Sequence, residues 1–323
     1  MKERIHIPVL WKEVLEKVSP QVGNVVVDAT LGSGGYTRSL SQYIGSEGIL
    51  ISFDRDKKAI DDFKKSLDLQ IFPEMIHRIE GDNMFLIHAN YSDIEKELKE
   101  RNIQKVDSIV ADLGISSDQL LDKEKGLSFL ADTPLDMRLD IQEEVETAFD
   151  IINSWGGDEL IRIFQVNAQE KFSRKIVEKI IERRKRGFIA TTKDLSELIE
   201  SAVPKGFYRI HPATKVFQAL RMEVNKEEYH LKVFLEKAIK ILRPGGRLAI
   251  VSFHSGEDRL VKESFRVNAR GCICPPTFPL CRCYQKARIK QIHRKPICPS
   301  EEELKRNPRS RSAKLRVIEK IEE

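Results

Sequence analysis

The sequence predicts an α/β fold in which an open, mostly parallel sheet is interrupted by an inserted helical module. Short apolar runs rich in β-branched residues are followed by turn residues and helical patterns, as in a parallel sheet with crossover helices. Three of these runs end in aspartate. From residue 114 to residue 210 helical periodicity replaces the alternation. We therefore expect one sheet domain formed by residues 1–113 and 211–323, with a helical substrate-recognition domain at 114–210.

The composition is that of a globular protein. Of the 323 residues, 41% are hydrophobic and 33% are charged. No apolar run approaches the roughly 18 residues of a membrane span. The amino-terminal MKERIHIPVLWKEVLEKV has no continuous apolar segment before a cleavage site, so it does not resemble a secretory signal. These features predict a cytoplasmic protein without a membrane partner.

The first strand and its loop lie in residues 24–37, NVVVDATLGSGGYT. Three valines form a run typical of a buried parallel strand, and Asp28 ends it. Gly32, Gly34 and Gly35 form the turn, and YTRSLSQY begins a helix. A strand, a glycine loop and a helix N-terminus together form the usual binding site for a nucleotide-like ligand.

The pattern of the loop restricts the ligand. Counted from Gly32, the third glycine of a dinucleotide fingerprint falls on Thr37, and the Gly-Lys-Ser/Thr ending of a P-loop is absent. Asp28 would repel a pyrophosphate but suits a positively charged ligand, such as the sulfonium and amino group of S-adenosylmethionine. Two alternatives remain open here: an ordinary turn capped by Asp28 and Asp54, and a nicotinamide dehydrogenase that uses Asp54 for the ribose.

Two further strands end in carboxylates. Residues 48–53 precede Asp54, where a carboxylate can accept hydrogen bonds from ribose hydroxyls. A helix at 57–67 and a loosely alternating stretch at 75–88 follow. The VDSIVA run at 106–111 then precedes Asp112. Because the carboxyl ends of parallel strands share one edge of the sheet, Asp28, Asp54 and Asp112 are predicted to converge on one crevice.

The helical module and the return to the sheet are predicted from periodicity. Helices are expected at 148–155, 158–164, 170–186 and 192–203. One long helix is then expected from His211 to Leu242, stopped by Pro244-Gly245-Gly246, and the next strand covers 246–253. His254 begins a polar run, HSGEDR, and either faces the crevice or caps the following helix. A helix at 301–306 and a strand at 313–321 close the chain.

The charge is distributed unevenly. The 55 basic and 50 acidic residues leave a formal net charge of only +5, which says little about partners. Basic residues concentrate at 171–186, 282–295 and 306–316. Such clusters bind RNA phosphates, although ordinary solvated helix faces have the same composition. The cluster in the helical module contains Lys171, Arg174, Lys175, Lys179, Arg183 and Arg184.

All five cysteines lie late in the chain, at Cys272, Cys274, Cys281, Cys283 and Cys298. Disulfides are not expected in a cytoplasmic protein. The first four, spaced C-x-C, six residues, C-x-C, could supply four thiolates to zinc. Metal knuckles more often have two residues between paired cysteines, so the spacing favours a reduced proline-rich loop. The spacing alone therefore assigns no metal site.

Several blocks of sequence together resemble the RsmH (MraW) family: HIPVL, DATLGSGGYT, DLGISSDQL, GLSF, DTPLDMRLD, HPATKVFQALRMEVN, PGGRLAIVSFHSGEDR and NPRSRSAKLRV. They run nearly from end to end. The resemblance implies a class I (Rossmann-like) S-adenosylmethionine-dependent methyltransferase. It also implies the substrate, N4 of one cytidine in the decoding centre (P site) of bacterial 16S ribosomal RNA, as naked RNA or within the 30S subunit. A non-catalytic RNA-binding assembly factor is the alternative.

The resemblance also implies the site residues. The cofactor contacts of the family fall on Gly34, Gly35, Tyr36, Asp54, Tyr91, Asp112 and Gln119. Tyr36 replaces a common histidine. Asp112 is the catalytic candidate because amine methyltransferases carry an acidic or amide residue there, although DLGISS replaces their usual Asp/Asn-Pro-Pro-aromatic motif. Ser116, Ser117 and His254 remain alternatives for a share of that role.

Overall fold

The computed structural model describes residues 8–68, 83–204, 206, 210–272, 274, 278, 280, 282–283 and 286–321. The chain forms two compact units, one made of Met1–Gly114 with Tyr229–Glu323 and the other of Ile115–Glu228. Within the described ranges, no helix has both the length and the apolar character needed to cross a bilayer. The predicted alternation over 75–82 lies outside the described residues.

The first unit contains a seven-stranded sheet in the order β3-β2-β1-β4-β5-β7-β6. The strands from β1 to β5 pair in parallel, and β7 pairs antiparallel with β5 and β6. The strand order reverses between β1 and β4, which is where open α/β sheets bind ligands. This arrangement confirms the predicted class I, Rossmann-like fold. The strands are β1 Val25–Asp28, β2 Ile49–Asp54, β3 Met84–His88, β4 Val106–Asp112, β5 Leu242–Ser252, β6 Ile289–Gln291 and β7 Lys314–Lys320.

Helices cover both faces of this sheet, which is why its central strands are continuous apolar runs. Successive side chains of a strand point to opposite faces. Accordingly, Val26 belongs to one core cluster, with Leu40 and Phe63, whereas Val27 belongs to the other, with Phe234. The helices are α1 Trp11–Val18, α2 Gly35–Ile44, α3 Lys57–Asp68, α4 Ile94–Glu100, α11 Glu227–Ile241, α12 Ser255–Asn268 and α13 Glu301–Arg306.

The second unit is helical and has its own core. Its helices are α5 Ser117–Leu121, α6 Ala148–Ser154, α7 Gly157–Ala168, α8 Ser173–Arg184, α9 Thr192–Ala202 and α10 Ala213–Val224. The boundary expected at residues 210 and 211 falls inside this unit. The unit continues to Glu228 because Val216 and Leu220 of α10, both fully buried, pack into its core.

The long helix expected from His211 to Leu242 is instead two helices, α10 and α11. Asn225 between them is fully buried. Its Nδ2 donates to the Met137 carbonyl at 2.8 Å, and its Oδ1 accepts from the Leu139 backbone N–H at 2.9 Å. Lys226 then adopts a left-handed φ of 49°. The single-helix prediction was wrong because these bonds to a remote loop outweigh helical periodicity.

Candidate active site

The three predicted carboxylates end neighbouring strands at the switch point of the sheet. Asp28 ends β1, Asp54 ends β2 and Asp112 ends β4. The loop after β1 is tied to the end of β4, because the backbone N–H of Asp112 donates to Thr30 Oγ1 at 2.7 Å. The negative charges of Asp28 and Asp54 act on each other, as do those of Asp28 and Asp112. The predicted convergence of the three aspartates is therefore observed.

Asp28 is fully buried below the glycine loop. Its carboxylate accepts hydrogen bonds from Thr37 Oγ1 at 2.6 Å and from the Thr30 backbone N–H at 3.2 Å. Burial raises the pKa of Asp28 to about 7, with the charge of Asp54 adding to the rise and these hydrogen bonds opposing it. A cation nearby would favour its ionised form. Asp28 thus orders the loop and places a titratable negative charge beneath it.

This shift predicts how stability depends on pH. A carboxyl with a higher pKa in the folded than in the unfolded state binds more protons in the folded state at pH values between these two pKa values. Its contribution to the free energy of unfolding therefore falls as the pH rises through that range. Relative to Asp28→Asn, wild-type protein should lose roughly 2–3 kcal/mol of unfolding free energy between pH 5 and pH 8. Urea unfolding of the ligand-free proteins measures this difference. A difference that stays constant with pH would contradict the assignment.

Asp54 is held by backbone donors. Its Oδ2 accepts from the Gly32 N–H at 2.8 Å, and its Oδ1 accepts from the Asp56 N–H at 2.8 Å. These bonds fix the carboxylate at the end of β2, beside the loop, where the sequence predicts a partner for ribose hydroxyls.

Gly34 allows the loop to approach helix α3. Its φ is +77°, and a Cβ at this position would lie 2.1 Å from Phe63 Cε2. Its N–H donates to the Leu31 carbonyl at 2.7 Å, and Gly35 then begins α2. No other residue fits at position 34 without moving the loop or the ring.

Tyr36 is buried, with only 3% of the residue exposed. Its hydroxyl donates to the carbonyl of Val9, so the ring attaches the amino-terminal segment to the loop. Burial raises the pKa of the Tyr36 phenol well above its usual value, and the charges of Asp112 and Asp28 add to this. Its hydroxyl is engaged within the core, and its predicted cofactor contact stays a prediction.

Two further predicted contacts, Tyr91 and Gln119, belong to different units. Tyr91 follows β3 and packs edge-on against Phe234, with ring centroids 5.0 Å apart. Gln119 belongs to the second unit, where it forms a reciprocal cap with Ser116. The Ser116 N–H donates to Gln119 Oε1 at 3.0 Å, and the Gln119 N–H donates to Ser116 Oγ at 3.1 Å. Both cofactor contacts stay predictions.

Asp112, at the end of β4, is the second carboxylate of the crevice with a raised pKa. Burial raises its pKa well above the usual value, and the charges of Asp28 and Glu257 add to the rise. Its Oδ1 is enclosed and has no hydrogen-bond partner within the described ranges. Buried polar atoms are nearly always paired in folded proteins, so an unpaired carboxylate oxygen at a switch point favours a ligand-binding role.

Of the two interpretations of His254, the structure supports helix capping. His254 precedes α12, and its Nδ1 accepts from the Glu257 N–H at 3.4 Å. Glu257 Oε2 in turn accepts from the N–H groups of Phe253 and His254. Sequence reasoning assigned no separate role to Glu257, which is 6% exposed and contributes to the raised pKa of Asp112. The His-x-x-Glu spacing at a helix start was the signal that could have identified it.

The site combines a Rossmann-like switch point with a glycine loop that lacks the dinucleotide fingerprint. It also contains carboxylates that repel one another, and the pKa values of Asp28 and Asp112 are raised. It disfavours a pyrophosphate and suits a nucleoside that carries positive charge. The fold and the site together define a class I methyltransferase.

Comparison with known proteins identifies the family. The chain belongs to the MraW methylase family, which matches residues 3–321. It is 43% identical over 317 residues to ribosomal RNA small subunit methyltransferase H of Clostridium botulinum (strain Loch Maree / Type A3), covering 98% of this chain and 99% of that protein. The protein of the same name from Syntrophotalea carbinolica is 42% identical over 318 residues, covering 98% of both chains. That from Clostridioides difficile is 40% identical over 318 residues, covering 98% and 99%.

These findings confirm the resemblance found in the sequence and exclude the dehydrogenase alternative. The matches cover the sheet unit and the helical unit alike, so the inserted helices are part of the family rather than an addition to this chain.

Proposed function

We propose that this protein transfers the methyl group of S-adenosylmethionine to N4 of a cytidine in the decoding centre of small-subunit ribosomal RNA. The observation that carries the proposal is the enclosed, unpaired Oδ1 of Asp112 at the switch point of the sheet. A carboxylate with an enclosed oxygen and a raised pKa is suited both to accept a hydrogen bond from an amine and to remove its proton.

The carboxylates of the site suit S-adenosylmethionine as the cofactor. Asp54, fixed by two backbone N–H groups, has the chemistry to accept hydrogen bonds from ribose hydroxyls. The negative charges of Asp28 and Asp112 favour a ligand with a sulfonium and an amino group. When bound, S-adenosylmethionine supplies an electrophilic methyl group. The residues of the chain bind and orient the reactants and move the proton.

Asp112 has two tasks in this scheme. The exocyclic amine of cytosine is a weak nucleophile because its lone pair is conjugated with the ring. A carboxylate that accepts a hydrogen bond from this amine favours tetrahedral geometry and stabilises the positive charge that develops on nitrogen. The methyl carbon would exchange its bond to the sulfonium sulfur, which keeps the electron pair as a neutral thioether, for a bond to the amine nitrogen. The cationic nitrogen would then lose one proton to the carboxylate. The raised pKa of Asp112 makes it an effective acceptor for that proton.

The assay that tests the proposal uses 30S subunits and naked 16S RNA, both lacking the modification, with labelled S-adenosylmethionine. Digestion of the RNA to nucleosides and mass spectrometry should identify N4-methylcytidine as the labelled product. Label on another atom or nucleoside would contradict the proposed position. Binding of the RNA and of the cofactor without any transfer would favour the non-catalytic assembly factor instead.

The exposed side of helix α8 is the proposed RNA-binding surface of the helical unit. Arg174, Lys175 and Lys179 are exposed. Arg184 does not belong to this surface, because its guanidinium donates to the Trp155 carbonyl at 2.9 and 3.0 Å. The positive charges of the exposed members are accessible to phosphates, whose neutralisation makes binding depend on salt.

Charge reversal tests this surface. The double variant Lys175→Glu/Lys179→Glu should weaken RNA binding by tenfold or more and lower the log–log salt slope by roughly 1.5–2, because about 0.7–0.9 counterions are released per phosphate contact. Filter binding over a salt series measures both quantities. Lys96→Glu/Lys99→Glu, two exposed lysines on α4, gives the same change in net charge as a control. Equal losses in the two double variants would show a general charge effect rather than a surface on α8.

A further inference from the structure

Three cysteine sulfurs of the first unit lie close together in the segment between α12 and β6. The Sγ atoms of Cys272, Cys274 and Cys283 all lie within 4.8 Å of one another, and those of Cys272 and Cys283 are 3.7 Å apart. Cys281 lies outside the described residues. The sequence alone left a zinc site and a reduced proline-rich loop open, and the placement of these sulfurs is the observation that favours the zinc site.

The spacing of the sulfurs matches tetrahedral zinc coordination. With zinc–sulfur bonds of about 2.3 Å, two thiolates of a tetrahedral site lie about 3.8 Å apart. The 3.7 Å between Cys272 Sγ and Cys283 Sγ agrees with this value and is far longer than a disulfide bond. The third sulfur, from Cys274, lies within 4.8 Å of both of the others, so only a small adjustment brings all three to one ion.

Backbone donors point at two of these sulfurs. The N–H of Cys274 donates to Cys272 Sγ at 3.4 Å, and the N–H of Arg282 donates to Cys274 Sγ at 3.3 Å. Hydrogen bonds from peptide N–H groups stabilise a thiolate more than a neutral thiol, and such bonds usually surround metal-bound sulfur. These two backbone bonds hold the sulfurs of Cys272 and Cys274 in place beside each other.

We propose that Cys272, Cys274 and Cys283 bind a structural Zn²⁺ ion. Soft thiolate ligands favour zinc over magnesium or calcium, and the ion neutralises their mutual repulsion. Its role is to order this segment, which has no helix or strand among its described residues between Asn268 and Ile289. Binding of the ion contributes directly to the folding free energy of such a segment.

Metal analysis of the purified full-length protein tests the proposal. Wild-type protein should contain one zinc per chain by mass spectrometry, and Cys272→Ser, Cys274→Ser and Cys283→Ser should each retain at least tenfold less. Cys298→Ser is the matched control, because Cys298 is exposed and lies outside the cluster. Cys281 stays unchanged in every variant, so that loss of zinc reports on the three described sulfurs. Circular dichroism checks that the variants remain folded.

A measurement on wild-type protein keeps the test independent of the variants. Titration with an organomercurial should release zinc in step with thiol modification, and replacement by Co²⁺ should produce a thiolate-to-metal charge-transfer band. The proposal is overturned if the protein from zinc-supplemented cells binds neither zinc nor cobalt. Iron in place of zinc, or equal zinc loss in Cys298→Ser and the cluster variants, would overturn it as well.

Discussion

Asp112→Asn is expected to lower kcat for methyl transfer by about a thousandfold, because the amide keeps an oxygen acceptor but has no charge and takes no proton. The stability of the folded state should not decrease. At pH values above the pKa of an aspartate in the unfolded chain, this carboxyl lowers the free energy of unfolding, because burial raises its pKa in the folded state. Its Oδ1 also has no partner to lose within the described part of the chain. The variant should therefore unfold at the same or a higher urea concentration than wild type.

Single-turnover methylation of substrate RNA and urea unfolding together measure the two expected effects of Asp112→Asn. Asp118→Asn, which removes an exposed carboxylate from α5, serves as the control and should leave both quantities unchanged. Methylation within tenfold of the wild-type rate would remove Asp112 from the proposed chemistry. Loss of the folded state in Asp112→Asn would instead mean that the carboxylate has a structural role that its unpaired oxygen does not indicate.

Gly34→Ala is expected to destabilise the protein by about 2–5 kcal/mol, the sum of a left-handed backbone cost and a steric clash. The φ of +77° is unfavourable for alanine, and the new Cβ would lie 2.1 Å from the ring of Phe63. Relief of this contact requires movement of the loop or of α3. The affinity for S-adenosylmethionine should therefore fall together with stability. Urea unfolding and calorimetric titration of the cofactor measure the two effects.

Gly245 separates the two causes. It has nearly the same φ, +78°, but no atom lies within 4 Å of a Cβ built there. Gly245→Ala should therefore show only the backbone cost of about 1–2 kcal/mol and normal cofactor affinity. Replacement of Phe63 by leucine in the Gly34→Ala background should restore part of the lost affinity. If Gly34→Ala and Gly245→Ala are equally stable, the approach of the loop to Phe63 does not limit the residue at position 34.

Much of the sheet and of its binding edge was predictable because the relevant signals are local. The valines of β1 are buried on both faces, so they form an unbroken apolar run. The aspartates follow directly in the sequence, and the parallel topology then requires Asp28, Asp54 and Asp112 to share one edge. The glycine loop was equally visible, because its missing third glycine and absent lysine exclude two ligand classes without any coordinates.

Features that depend on distant partners were not predictable. Asn225 ends α10 through bonds to Met137 and Leu139, more than eighty positions earlier in the chain. Arg184 lies in a basic stretch of the sequence, but its guanidinium donates hydrogen bonds to the carbonyl of Trp155. In each case a polar side chain binds a backbone group remote in sequence, and sequence periodicity does not indicate such a partner.

The sequence by itself determined the class of fold and the three carboxylates, because strand burial and chain topology are encoded in runs of neighbouring residues. The family followed from the resemblance of its sequence blocks. Only the tertiary structure decided what those groups can do. Burial and the convergence of Asp28 and Glu257 raise the pKa of Asp112, whose Oδ1 is left unpaired within the described residues. Folding likewise places three sulfurs at distances that suit one metal ion. The pKa and the distances depend on local dielectric and on side chains from separate elements, which come together only in the folded chain.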